Sequence, residues 1–261
     1  MRDTTYQNKS EERTENVTEA MRMWVEILFN VAYLIVVWGL VVAMFRRRTG
    51  VHSEVRPTAH LFIWAFGLLA LGDTGHVGFR VWAYALDGLD TRIDLLGAQV
   101  GLVGLGALST AVTVTFFYVL MLFIWQRRFG KPLGWFGILL LIAAVVRLIM
   151  MAFPQNEWSS SVPPRIWSLY RNLPLVVQGL GVAYLILRDR VADRDRTFVL
   201  IGVMILVSYG FYLPVILLVQ SVPIVGMLMI PKTLAYVAIA WLAFANLFPR
   251  SASRSAVAVS R

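Results

Sequence analysis

Long apolar runs separated by short polar segments set the pattern of this chain. Runs near 23–45, 59–86, 96–125, 133–153, 166–187, 197–220 and 224–247 match the roughly 20 apolar residues that cross a hydrocarbon core as a helix. The pattern predicts an all-α integral membrane protein built as a seven-transmembrane-helix bundle. Residues 1–22 read as a polar, acidic segment, 23–249 as the transmembrane domain and 250–261 as a basic tail. No apolar stretch precedes the first run, so no cleaved signal peptide is expected. The connections are short and leave no room for a soluble domain, and no internal repeat stands out.

Composition agrees with this class. The chain has 261 residues, 58% of them hydrophobic and 15% charged, against about 25% charged in soluble domains. It contains no cysteine, which excludes disulfides and thiolate sites. The net charge of +9 would suit nucleic acid, but its distribution points elsewhere. Fourteen of the 24 Lys and Arg fall at 46–56, 127–131, 188–196 and 250–261, all on one side of the predicted bundle. Seven fall on the other side, among nine acids. By the positive-inside rule, the N-terminus is outside and the C-terminus cytoplasmic, in the plasma membrane, and no nucleic-acid partner is expected. The sequons at Asn8 and Asn16 fall on the outer side.

Polar groups inside the runs are few and uneven. Counted from the outer ends at about 1.5 Å per residue, Glu26, Arg80, Arg147, Arg171, Asn172, Gln178 and Lys232 lie in the outer half. Asp73, His76, Tyr209 and Tyr212 lie near mid-membrane. The inner half of each run is nearly pure hydrocarbon. Intramembrane charges are costly and usually face the bundle interior, so the asymmetry predicts a polar cavity open to the outside above an apolar plug.

The sharpest motif is "GDTGHVGFR", Gly72 to Arg80. Its Asp73, His76 and Arg80 are spaced i, i+3, i+7 and share one helix face. Asp73 can orient His76 for proton transfer, or the three can form a polar ladder that pairs with cations on other helices. Zinc is not expected, because it needs three or four protein ligands and only one His lies deep. Arg171 can snorkel at the boundary. The outer connection "PQNEWSSSVPPR" from Pro154 reads either as a cap or gate on the cavity or as an interfacial Trp anchor. The glycines of the second and third runs, with Ser109, Thr110 and Thr113, predict close packing of those helices.

Lys232 follows Pro231 in the last run. Seven helices, an outer N-terminus and a lysine in the seventh resemble the layout of rhodopsins. That resemblance implies a retinal Schiff base on Lys232, with "YGFYLP" from Tyr209 as aromatic walls. The third run, however, carries no carboxylate between Gly97 and Trp125, where those families usually place one. An ion pair with Asp73 and contact with a ligand are the other roles open to Lys232.

Cations outnumber acids within the runs, which favours an anionic guest. The leading expectation is a receptor-like or carrier-like protein for a small anionic or amphiphilic ligand. Arg80, Arg147, Lys232, Arg171, Asn172, Gln178, Tyr209, Tyr212 and Glu26 would form the site, and signalling would require a protein partner. One alternative is a hydrolase or transferase acting on lipid at the outer leaflet, with His76 and Asp73 as its acid–base pair. The other is the retinal-binding reading. No cofactor is assigned.

Overall fold

The computed structural model describes residues 3–248 except 87, 96, 161 and 194, with side chains from Trp24 onward outside 95, 98 and 190–193. The sequons and the basic tail therefore lie outside the described side chains. Helix α1 runs Asp3–Arg47, α2 Arg56–Ala85, α3 Leu102–Phe129, α4 Gly134–Ala152, α5 Arg165–Asp193, α6 Arg196–Leu218 and α7 Met229–Leu247. Among the described residues, six helices are long and apolar enough to cross a membrane. Helix α5 is not one of them, because Arg171, Asn172 and Gln178 dilute its first half.

Neighbours in sequence are neighbours in space. Each helix packs on the next, and α1 packs on α7, which closes a ring. Helix α3 leans inward and also touches α5. Small residues seat it against α2: a Cβ at Gly72 would lie 1.8 Å from Thr113 Oγ1, and one at Gly106 would lie 3.0 Å from the His76 Cα. Short hydrogen bonds join α1 to α2. Tyr33 Oη donates to Asp73 at 2.6 Å, and Trp38 Nε1 donates to Thr74 at 3.0 Å.

Three local features depart from the sequence pattern. Residues 97–101 do not open the third helix. They belong to an antiparallel hairpin, β1 (Arg92–Leu95) with β2 (Ala98–Gly101), pairing Asp94 with Gln99. Asp94 Oδ1 accepts the Gly97 N–H at 2.9 Å, and Gly97 takes φ 82°, which closes the turn and delays α3 to Leu102. Helix α1 begins at Asp3 and not near 23; residues 3–22 contain neither Gly nor Pro to stop it. Helix α7 follows a 3₁₀ segment, Pro223–Leu228. Pro231 is thus in the first turn of α7, where an absent N–H costs nothing, and does not interrupt a helix.

The two ends of the bundle differ. The basic end is filled by apolar rings and aliphatic groups: Phe62, Phe66, Phe117 and Phe198, with Met44, Ile201 and Ile239, are fully or almost fully buried. Phe66 and Phe117 pack edge to face at 5.4 Å, a favoured aromatic geometry. Toward the hairpin end the interior becomes polar.

Candidate functional site

The polar interior divides into two parts. The first lies between α1, α2 and α3. The shared face of Asp73, His76 and Arg80 is present, but the three side chains take different partners. Asp73 accepts from Tyr33 and, at 3.4 Å, from Thr110. No hydrogen bond joins Asp73 to His76 among the described residues; His76 Nδ1 is buried and unpartnered, beside the Gly106 backbone. Arg80 pairs loosely with Glu26, Nε to Oε1 3.3 Å and Nη2 to Oε2 3.4 Å. These two residues, with Ile27, Asn30, Val77 and Val81, line a shallow recess between α1 and α2.

The second part lies between α3, α4, α5, α6 and α7. Arg147 is 2% exposed. Its Nε donates to the Arg171 carbonyl at 3.0 Å and its Nη1 to Thr115 Oγ1 at 2.7 Å. Gln178 fixes the same stretch of α3 by donating to the Thr115 carbonyl at 3.3 Å. Arg171 is buried, and the snorkelling expected for it does not occur. Its guanidinium lies 4.4 Å under the Trp158 ring and reaches Asn156 Oδ1 only at 3.4 Å.

Lys232 does not pair with Asp73. No ion pair or hydrogen bond to its ammonium exists among the described residues. Nζ lies 4.4 Å from the Tyr212 ring centre and 5.6 Å from that of Tyr236, a cation–π arrangement. Asp73 instead accepts from the Tyr33 and Thr110 hydroxyls. Lys232 remains near enough to both Asp73 and Arg147 to feel their charge.

Tyrosines join the cations. Tyr118 and Tyr236 share a hydrogen bond of 2.8 Å. Tyr209 donates to the Leu175 carbonyl at 2.8 Å, and Tyr212 donates to Asn172 Oδ1 at 2.9 Å. Gly179 makes room for this cluster, since a Cβ there would lie 2.0 Å from Tyr209 Oη. With their hydroxyls engaged, these rings offer the interior faces and edges.

The sequence pointed to Arg147, Arg171, Asn172, Gln178, Tyr209, Tyr212 and Lys232, and the structure places them in this second part. It sets Glu26 and Arg80 apart on the α1–α2 recess. Tyr33, Thr115, Tyr118 and Tyr236 carry contacts that the sequence pattern did not reveal; Thr110 stands among the small residues of the third run, and Asn156 and Trp158 in the connection read as a cap. One usable signal was the i, i+4 spacing of Lys232 and Tyr236. Among the described residues, no group of three or more His, Asp or Glu is placed to hold a metal ion. No protein-family model matches the chain, and neither a curated protein nor a solved structure matches it.

Proposed function

We propose that this is a seven-span plasma-membrane protein, with its hairpin end outside, whose cations on α4, α5 and α7, two buried and one half-buried, bind a small anionic or amphiphilic ligand. One observation carries the reading. Arg147, Arg171 and Lys232 have no carboxylate partner among the described residues. Arg147 Nη2 and Lys232 Nζ have no hydrogen-bond acceptor there either. Unpaired charge in a low-dielectric interior is costly, and an acidic group supplies both the opposite charge and the missing acceptors.

The excess of Lys and Arg at the opposite end supports the orientation. Helix α5 completes the ring between α4 and α6. Its buried Arg171 and Gln178 face protein, which suits a seventh span that is polar only inward. The geometry favours binding over lipid hydrolysis, because Asp73 is committed to Tyr33 and His76 has no carboxylate to orient it. If the protein signals, a partner must read the state of the basic end.

Titration in lipid nanodiscs tests this. Octanoate, inorganic phosphate and lysophosphatidate are compared by calorimetry on wild type and Arg147→Gln. Saturable binding of at least one anion, weakened tenfold or more by Arg147→Gln, is expected. Absence of binding by all three contradicts the reading.

A further inference from the structure

Arg171 is roofed by the connection between α4 and α5. After α4 the chain makes a 3₁₀ turn at Pro154–Asn156, and Glu157 takes φ 47°, which reverses its direction. Asn156 is fully buried. Its amide donates to the Met150 and Phe153 carbonyls at 2.7 and 2.9 Å, closing the end of α4. Trp158 Nε1 donates to the Met151 carbonyl at 2.9 Å. That bond holds the indole over the Arg171 guanidinium.

The other side of the connection rests on α3 and the hairpin. A Cβ at Gly104 would lie 1.3 Å from the Trp158 carbonyl oxygen, and one at Gly101 would lie 2.7 Å from that of Ser159. Ser159 Oγ donates to the Gln99 carbonyl at 3.3 Å. Residues 156–159 are therefore wedged between the start of α3 and the end of α4, with Trp158 and Asn156 against Arg171. Apart from the long contact of Asn156 with Arg171, the bonds that hold them are neutral. Arg171 receives from this roof a π face and a long amide contact, both weaker than a charge-assisted bond to an anion.

We propose that this connection is the gate through which a water-borne anion reaches the cation site, with Trp158 as its latch. The proposal rests on the anion-binding reading. The incoming acidic group takes the place of the indole on Arg171, and the glycine seat on α3 receives the connection again when the site empties. The competing path is sideways from the lipid, between helices.

The natural chain has no cysteine, so one engineered thiol reports cleanly. Asn172→Cys places it beside Arg171. Nanodisc protein is treated with a charged, water-soluble methanethiosulfonate and, separately, with a lipophilic maleimide. Losing the cation–π latch, worth on the order of 1.4 kcal/mol, speeds opening about tenfold. In the Asn172→Cys background, Trp158→Ala should therefore accelerate the charged reagent about tenfold and leave the lipophilic one unchanged. Equal rates for the charged reagent with and without Trp158 overturn the proposal. So does rapid labelling by the maleimide alone, which marks the lateral path. If Trp158→Ala does not accumulate, Trp158→Phe keeps a ring but loses the Nε1 bond; it should give a smaller rise, and no rise is again contrary. Labelling needs no ligand, so a failed gate and a failed anion site are read in separate experiments.

Discussion

Arg128 and Arg147 sit on neighbouring helices in opposite circumstances. Arg128, at the basic end, is partly exposed and has the Asp195 carboxylate at 2.6 Å. Asp195 in turn caps α6 by accepting the Thr197 and Phe198 N–H groups at 3.0 and 3.3 Å. Arg188 has Asp189 at 2.8 Å, and Trp125 donates to the same carboxylate at 2.9 Å. Arg147 is buried and has no carboxylate partner among the described residues. Acids meet Arg128 and Arg188 where water also screens them, and none among the described residues meets Arg147 in the interior. Selection for stability alone gives the first arrangement. The second retains uncompensated charge in the interior, which suits a site awaiting a counter-charge.

The comparison breaks most severely if the roof over the cations is forced open. Gly104→Ala drives a methyl group into the Trp158 carbonyl and should cost about 3 kcal/mol, read by thermal unfolding in detergent. Gly78→Ala, whose Cβ meets nothing within 4 Å, should be neutral or slightly stabilising. Next in size is Tyr33→Phe. It strips the 2.6 Å hydrogen bond from the interior carboxylate of Asp73 and should cost about 2 kcal/mol in the same assay. A smaller loss at that site would mean that Asp73 is held elsewhere.

At the basic end the effects should shrink. Arg128→Gln leaves Asp195 as the cap of α6 and should cost about 1 kcal/mol. Arg188→Gln, an exposed pair, should cost less than about 0.5 kcal/mol. Asp189, near the basic end of α5, has its carboxyl held below the usual carboxylate range, chiefly by the hydrogen bond from Arg188. A depressed carboxyl stabilises the fold above its unfolded value near 4 and loses that contribution as pH falls through the lower value. The Arg188→Gln penalty should therefore be equal at pH 5 and pH 8 and fade in stronger acid. A penalty that grows between pH 5 and pH 8 would point to a different group.

Helix membership was largely legible in the sequence because spans are long and apolar; the partners of polar side chains were not. "LLGAQVG" from Leu95 reads as apolar and joins the following run, yet Asp94 and Gly97 fold it into a hairpin turn. The depth of Lys232 could be counted, but its rotation about α7 could not, and rotation decides between Asp73 and the Tyr212 face. Tyr118 and Tyr236 look like ordinary core aromatics in a hydropathy profile. Their hydroxyl pairing depends on two helices remote in sequence. Arg171 appeared to be at the boundary because its roof, Asn156 and Trp158, lies in a connection with no periodic signal.

Lys232→Met gives the most direct test, in nanodiscs, of the claim that these cations await an anion. Its unfolding temperature is measured with and without the anion that binds wild type best. A half-buried ammonium held only by ring faces contributes little to stability, since apolar replacements of charges removed from water are often neutral or stabilising. The account predicts a ligand-free variant as stable as wild type or more so, with anion-induced stabilisation reduced at least tenfold in apparent affinity. A variant that unfolds far below wild type and still responds fully to the anion would contradict it.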